Sequence, residues 1–347
     1  MARAYVMTSP TGKFTSMTIE RREVESDDVA IDIEYCGLCH SDVHTVRSEW
    51  GKCNYPMAPG HEIVGTVREV GKNVTDFKSG DKVGVGCMVD ACRKCSYCKE
   101  GRQQFCEKGS VGTYDKKDYW HNDEITQGGY TSDIVVHQDF VLRIPKGMDL
   151  ASAAPLLCAG ITTYSPLNHW NVGPDSKVAV AGLGGLGHMA VKIAHAMGAE
   201  VTVFTRTDAK AEDAKKLGAD KVIISSDKEQ MKAATCTFDL IIDAVSATHD
   251  LNPYLNALAV EGTLVLLGIP ETPHPNIAHR LLLGKRASLS ASPIGGIKET
   301  QEMLDFCAEH NIAADIEMVN AEQLDEAYER MVAGDVRYRF VLDSSTL

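Results

Sequence analysis

The chain has 347 residues, and at roughly 150 residues per domain it is expected to form two domains. Lys plus Arg number 35 against 48 Asp plus Glu, a net charge of -13, so most of the surface would repel a nucleic-acid backbone or an anionic membrane. Hydrophobic residues at 44% and charged residues at 24% are ordinary globular values, which excludes a disordered chain.

Met1 to Lys13 mixes polar residues into every short apolar run and so lacks the apolar stretch of a secretory signal. No run approaches the length of about 18 apolar residues that marks a membrane span. Eleven cysteines without an export signal, four of them between Cys92 and Cys106, read as metal chemistry in a reducing compartment rather than disulfides. A cytoplasmic location is therefore expected.

From Val29 to Pro145 the chain carries short β-type runs, Val29 to Tyr35, Ile63 to Val70, Lys82 to Val85, Ile134 to His137 and Val141 to Pro145, separated by Gly, Pro, Asn and Asp. That pattern predicts a β-rich domain with long loops. From Lys177 the texture changes to buried-strand runs: Lys177 to Ala181, Val201 to Thr205, Val222 to Ile224, Leu240 to Asp243, Thr263 to Leu267 and Ser288 to Ala291. Helical patterns stand between several of them, which predicts an open, doubly wound parallel α/β sheet. One connecting helix is framed by Asp208 as its N-cap and Gly218 just past its end. The final patterns, Lys298 to His310, Ala321 to Val332 and Tyr338 to Leu342, can complete the first domain instead of extending the second.

Three motifs carry chemistry. Cys92, Cys95, Cys98 and Cys106 form a C-x2-C-x2-C-x7-C array, and four thiolates converging at tetrahedral geometry suit a closed, structural zinc site. An iron-sulfur cluster fits less well, because the fourth Cys lacks the short spacer and following Pro of the ferredoxin run. The second constellation is Cys36-Gly-Leu-Cys39-His40-Ser41-Asp42-Val-His44, then Gly60-His61-Glu62, then Leu157-Cys158. Two sulfurs and one imidazole from distant segments leave a fourth tetrahedral position open, as a catalytic zinc requires. Any one of these residues alone reads better as ordinary core, and only the conjunction points to a metal. The third is Gly182-Leu-Gly184-Gly185-Leu186-Gly187 after a strand and before the helical pattern His188 to Met197. In that context the glycines permit a tight turn and let a pyrophosphate approach a helix N-terminus.

About 20 residues further on, where an NAD-binding chain carries an acid for the ribose, the strand ends Phe204-Thr205-Arg206 with Lys210 beyond it. Thr205 offers a hydroxyl, and Arg206 with Lys210 offers cations suited to a 2′-phosphate, so NADP(H) is the expected coenzyme. Two other readings stay open: Arg206 and Lys210 as a solvated surface pair, and Asp208 as the ribose acid.

Together these residues resemble the zinc-dependent medium-chain dehydrogenase/reductase superfamily, and within it the cinnamyl-alcohol-dehydrogenase-like branch with its bacterial NADP-dependent aldehyde reductases. The similarity also runs through Pro155 to Tyr164 and Asp335 to Phe340, so it spans essentially the whole chain. The resemblance implies a GroES-like catalytic domain from residues 1–153 and 295–347 with both zinc sites, a Rossmann domain from 154–294, and an active site in the cleft between them. By position it implies Cys39, His61 and Cys158 as catalytic zinc ligands, with Glu62 able to approach the metal and Asp42 orienting the ligand imidazole. It further implies Ser41 and His44 as a proton relay, His40 and Arg339 near the coenzyme pyrophosphate, and Thr162 near the nicotinamide. Ser41 stands where many branch members have Thr and keeps the hydroxyl. A homodimer is a family-level expectation.

The expected function is hydride transfer between NADP(H) and a primary alcohol/aldehyde pair, mainly aldehyde reduction on broad or aromatic substrates, with two Zn2+ per chain. The small-molecule aldehyde or alcohol is then the partner, with no nucleic acid and no membrane. The alternatives are an NAD-dependent polyol or secondary-alcohol dehydrogenase, a non-catalytic zinc-stabilised Rossmann protein, and a zinc-ribbon nucleic-acid binder that the acidic charge disfavours. Trp50, Tyr114, Trp120 and Ile294 stand in segments that fit a pocket lining and ordinary packing equally well.

Overall fold

Residues Met1–Leu347 are all described by the computed structural model, which divides into two units: Met1–Ile161 with Gly295–Leu347, and Thr162–Ile294. In the first unit the strands follow the order Leu142–Arg143, Lys82–Val85, Ile63–Val70, Asp28–Gly37, Arg339–Asp343 and Ile316–Val319, with Asp133–His137 also paired to Asp28–Gly37. The long strand Asp28–Gly37 is the hub because its alternate residues can serve several neighbours along ten positions. Val341 and Leu342 pair with Gly37 and Cys36, so both ends of the chain build this sheet. Ile31, Val64, Val83, Phe140 and Phe340 are fully buried beneath it.

Two predicted runs change extent. Val141 to Pro145 shrinks to Leu142–Arg143, because the preceding 3-10 turn Gln138–Phe140 uses the Val141 N–H. Thr263 to Leu267 lengthens backward to Leu258–Leu266.

The second unit is an all-parallel six-stranded sheet in the order Lys221–Ile224, Glu200–Thr205, Lys177–Ala181, Phe238–Asp243, Leu258–Leu266, Ser288–Ala291. Val178, Ala179, Val180 and Ala181 are fully buried, as a central strand covered on both faces requires. Phe204 meets Phe238 edge-on at 5.5 Å and Tyr254 at 5.3 Å on one of those faces. The strand order reverses between Lys177–Ala181 and Phe238–Asp243, and such a switch point is where open α/β sheets take ligands.

Two expectations need correction. The units divide at Ile161/Thr162, inside helix Ala159–His169, and not at 153/154, so Cys158 belongs to the first unit. Asp208 does not cap a helix: it opens a 3-10 turn, Asp208–Lys210, preceded by Thr207, and the α-helix proper is Ala211–Lys216. Gly218 does lie just past that helix, at φ +110°.

Candidate active site and metal centres

The strand Asp28–Gly37 runs into Leu38 and Cys39, and Cys39 precedes helix His40–Val46. Asp42 locks that start: its Oδ2 accepts from the Cys39 N–H at 2.9 Å, satisfying a helix-end donor. Its other oxygen accepts from the Gly60 N–H at 3.2 Å and faces His61 Nδ1 at 2.9 Å. Asp42 is fully buried, so this carboxylate accepts a hydrogen bond from Nδ1–H and leaves His61 Nε2 to offer its lone pair to a metal.

One donor atom from each of Cys39, His61, Glu62 and Cys158 lies within 4.8 Å of the other three. Residues up to 119 positions apart therefore converge on one point. Glu62 is fully buried; its Oε1 accepts from Arg339 Nη2 at 2.5 Å, while its Oε2 has no hydrogen-bond partner. A buried, unpartnered carboxylate oxygen is costly unless a cation can reach it. Burial pushes the Glu62 carboxyl up to about 8, against the opposing pull of Arg339. Gly37 is required here, since a Cβ at that position would run into Glu62 Oε2. Contact with the Cys158 sulfur, and then the His61 ring, holds the Cys39 thiol well below its usual value despite burial. The donor set, with one imidazole tautomer already chosen, fits a tetrahedral zinc ion.

The remaining expected site residues of this unit fall as follows. Ser41 Oγ lies 3.6 Å from Cys39 Sγ. His44 stands one turn further along the helix, with Nδ1 2.5 Å from Glu49 Oε2 and its ring stacked on Trp50 at 4.7 Å. His40 opens the helix, its ring 6.3 Å from that of His44. The Arg339 side chain, assigned to the coenzyme by resemblance, uses its Nη2 on Glu62 and on Leu38 O at 2.7 Å. Tyr114 places its ring 5.7 Å from that of His61, and Trp120 is 38% exposed.

Sequence reasoning missed Glu49 and Cys87. Glu49 follows His44 at a loop spacing with no periodic signal. Cys87 lies close enough to Cys158 and His61 for both to lower its thiol, Cys158 most; its place after strand Lys82–Val85 was the available clue.

The second cluster is local. Cys92, Cys95, Cys98 and Cys106 bring their sulfurs within 4.8 Å of one another around the short helix Ser96–Lys99. Backbone N–H groups of Cys92 and Cys95 point at Cys106 Sγ and Cys92 Sγ, each at 3.4 Å. The N–H groups of Lys94 and Cys95 hold the Cys92 thiol down to about 6, which prepares a thiolate for a metal. The loop is seated on the C-terminal segment: the Ile297 N–H donates to Gln103 Oε1 at 3.1 Å, and a Cβ on Gly296 would strike Gly101 O. Four sulfurs with no fifth donor suit a closed, structural zinc.

In the second unit, Gly182 leaves strand Lys177–Ala181 at φ +88°, and helix Gly187–Ala196 begins directly after Leu186. A Cβ on Gly187 would collide with Gly182 O, whereas one on Gly184 would project into open space. The turn, with Gly185 between them, is therefore closed at its base and open at its rim, as a cradle for a diphosphate must be. Thr205 is buried at the end of its strand. Lys210 Nζ donates to Leu183 O of the glycine turn at 3.0 Å, and Arg206 is exposed beside it in sequence. Thr162 is buried in the first turn of helix Ala159–His169.

Comparison with known proteins agrees with this geometry. A model of the alcohol dehydrogenase GroES-like domain matches residues 25–146, and a zinc-binding dehydrogenase model matches residues 185–309. The NADP-dependent alcohol dehydrogenase C 1 of Mycolicibacterium smegmatis is 55% identical over 345 residues, covering 99% of this chain and 98% of that protein. The aldehyde reductase YahK of Escherichia coli is 54% identical over 334 residues, 95% of either chain. Among solved structures, a cinnamyl alcohol dehydrogenase of Sorghum bicolor superposes with a TM-score of 0.95 at 42% identity, covering 99% of this chain and 98% of that one. A cinnamyl alcohol dehydrogenase of Helicobacter pylori, complexed with NADP(H), gives 0.93 at 43% identity over the same shares. The expected fold, a GroES-like domain with a Rossmann sheet, is thereby borne out. With both domain models matched in order and relatives above half identity along nearly its whole length, the chain belongs to the family of zinc-binding, GroES-like alcohol dehydrogenases.

Proposed function

We propose that this enzyme reduces aldehydes to primary alcohols with NADPH, on a broad or aromatic substrate range. The observation that carries the reading is the convergence of Cys39, His61, Glu62 and Cys158, with the His61 tautomer chosen by Asp42. Cys39 and Cys158 bind as thiolates and His61 through Nε2, so the protein donors nearly neutralise a divalent ion. When bound, zinc supplies Lewis acidity at the substrate oxygen and NADPH supplies the hydride.

The proton is the chain's own task. Ser41 and His44 stand three apart on helix His40–Val46 and so share a face. Ser41 Oγ is assigned the proton that the product oxygen takes up. His44, with Nδ1 held by Glu49, keeps Nε2 for proton exchange with solvent. Glu62 is the internal carboxylate able to approach the ion, and Arg339 sets its position.

For the coenzyme, no acid ends strand Glu200–Thr205. Arg206 and Lys210 are the cations that would meet a 2′-phosphate, and the Helicobacter pylori relative is a complex with NADP(H). The cytoplasm is the location in keeping with eleven free cysteines. A second reading, a polyol as substrate, is favoured by one relative: the mannitol dehydrogenase of Petroselinum crispum is 51% identical over 325 residues. The test is loss of reduced-coenzyme absorbance across a panel of aromatic and aliphatic aldehydes, with polyol oxidation assayed in parallel and both coenzymes compared. Fastest turnover with NADPH and an aromatic aldehyde supports the proposal; preference for NAD and a polyol overturns it.

A further inference from the structure

A third group of metal-type donors lies in the second unit, where neither zinc site is. Asp243, His249 and His274 each place one ligand atom within 4.8 Å of the other two. Asp243 is the last residue of strand Phe238–Asp243, paired in register with Ala181, so the group sits at the switch point beside the glycine turn. It is fully buried, and its Oδ1 accepts from the Val245 N–H at 3.1 Å. Oδ2 remains for another partner.

The two imidazoles have their tautomers set by backbone carbonyls, which can only accept. His249 Nδ1 lies 2.8 Å from Ala247 O, and His274 Nδ1 lies 3.1 Å from His249 O. Each Nδ1 therefore carries the hydrogen, and in the neutral ring each Nε2 keeps a lone pair; the longer approach of the His249 N–H to His274 Nδ1, at 3.4 Å, is the weaker contact. An Nδ1–H tied to a carbonyl is the arrangement that orients a metal-binding histidine.

That leaves two electron-rich atoms facing each other. His249 Nε2 is 3.1 Å from Asp243 Oδ2, yet it is buried and makes no aligned hydrogen bond. Such a contact calls for a positive charge between the atoms, either a proton on Nε2 that makes the two an ion pair or a metal ion that displaces that proton. The loops that hold the donors are pinned: Thr248 Oγ1 donates to Thr272 O at 2.7 Å, and the Ala278 N–H donates to Asn252 Oδ1 at 2.8 Å. The histidine rings cross at 81° with centroids 4.8 Å apart, so the donors are organised before any ion arrives.

We propose that Asp243, His249 and His274 form a third transition-metal site, separate from the two zinc centres, that takes Zn2+ through one carboxylate and two imidazoles. Imidazole with carboxylate suits Zn2+ over Mg2+ or Ca2+, which prefer all-oxygen shells. The test is equilibrium dialysis of the purified holoenzyme, first freed of loosely held metal, against Zn2+, with metal counted per chain and thermal unfolding followed in the same buffers. The parent is expected to take up one further equivalent and to unfold at higher temperature as Zn2+ rises. His274→Ala, a loop substitution, should weaken that equivalent at least ~10-fold, and Asp243→Asn should do the same. His121→Ala should leave it unchanged, since Asp90, Asp118 and His121 are the other donor cluster. Absence of a further equivalent, its retention in His274→Ala, or its loss in His121→Ala would overturn the assignment.

Discussion

The two cysteine-bearing centres of the first unit are built in opposite ways. The four-sulfur loop draws all its donors from residues 92 to 106, and backbone N–H groups tune its thiolates. The Cys39 centre gathers donors from three distant segments and surrounds them with charged side chains, Asp42 on His61 and Arg339 on Glu62. Local donors can close a site as soon as a short loop forms, whereas distant donors meet only once the whole sheet is built. The first arrangement therefore suits a staple and the second a reaction centre, because groups held by the finished fold can be set against their solvation preferences.

Substitutions can break or sharpen that contrast. The largest effect is expected from His61→Ala, which should cut turnover by more than ~10^3-fold, the equivalent of several kcal/mol of lost electrophilic stabilisation, while leaving the melting temperature close to the parent value. Cys106→Ser should do the reverse: scanning calorimetry should show unfolding lowered by several degrees up to about 10 °C, with turnover per folded molecule nearly kept. If Cys106→Ser silenced the enzyme without destabilising it, the division of labour would be wrong.

Next in size is Asp42→Asn. Without a carboxylate on Nδ1 the zinc affinity at this centre should fall ~10–100-fold, readable as faster zinc release to a colorimetric chelator, with the four-cysteine zinc released at the parent rate. Arg206→Asp places a like charge where the 2′-phosphate is expected and should weaken NADPH about 10-fold or more relative to NADH; equal weakening of both would move the phosphate pocket elsewhere. The smallest effect is Glu49→Gln, expected to lower turnover severalfold with KM little changed, since it removes only the group that orients His44.

Much of the second unit was legible because buried parallel strands are short apolar runs with glycine punctuation: Lys177–Ala181 and Ser288–Ala291 emerge with their predicted ends. Ile63–Val70 and Lys82–Val85 do so in the first unit. Other elements carried no such signal. Thr15–Ile19 is nearly all exposed, and helix His40–Val46 has seven residues led by three polar ones, too short for periodicity to register.

The site divides in the same way. Donor types and spacing pointed to the cysteine array and to a centre of two sulfurs and one imidazole, because such patterns have few other uses, and the family resemblance singled out Cys39, His61 and Cys158 within it. The partners that make the centre work, Arg339 on Glu62 across 277 positions and Glu49 on His44, depend on tertiary contacts between common surface residue types and leave no mark in the sequence.

Zinc counting on the His61→Ala enzyme, beside the parent and Cys106→Ser, bears most directly on the claim that two independent centres share one domain. The account predicts that His61→Ala holds one zinc fewer per chain than the parent, stays folded and loses turnover. An unchanged count, or the loss of both zincs together, would contradict it.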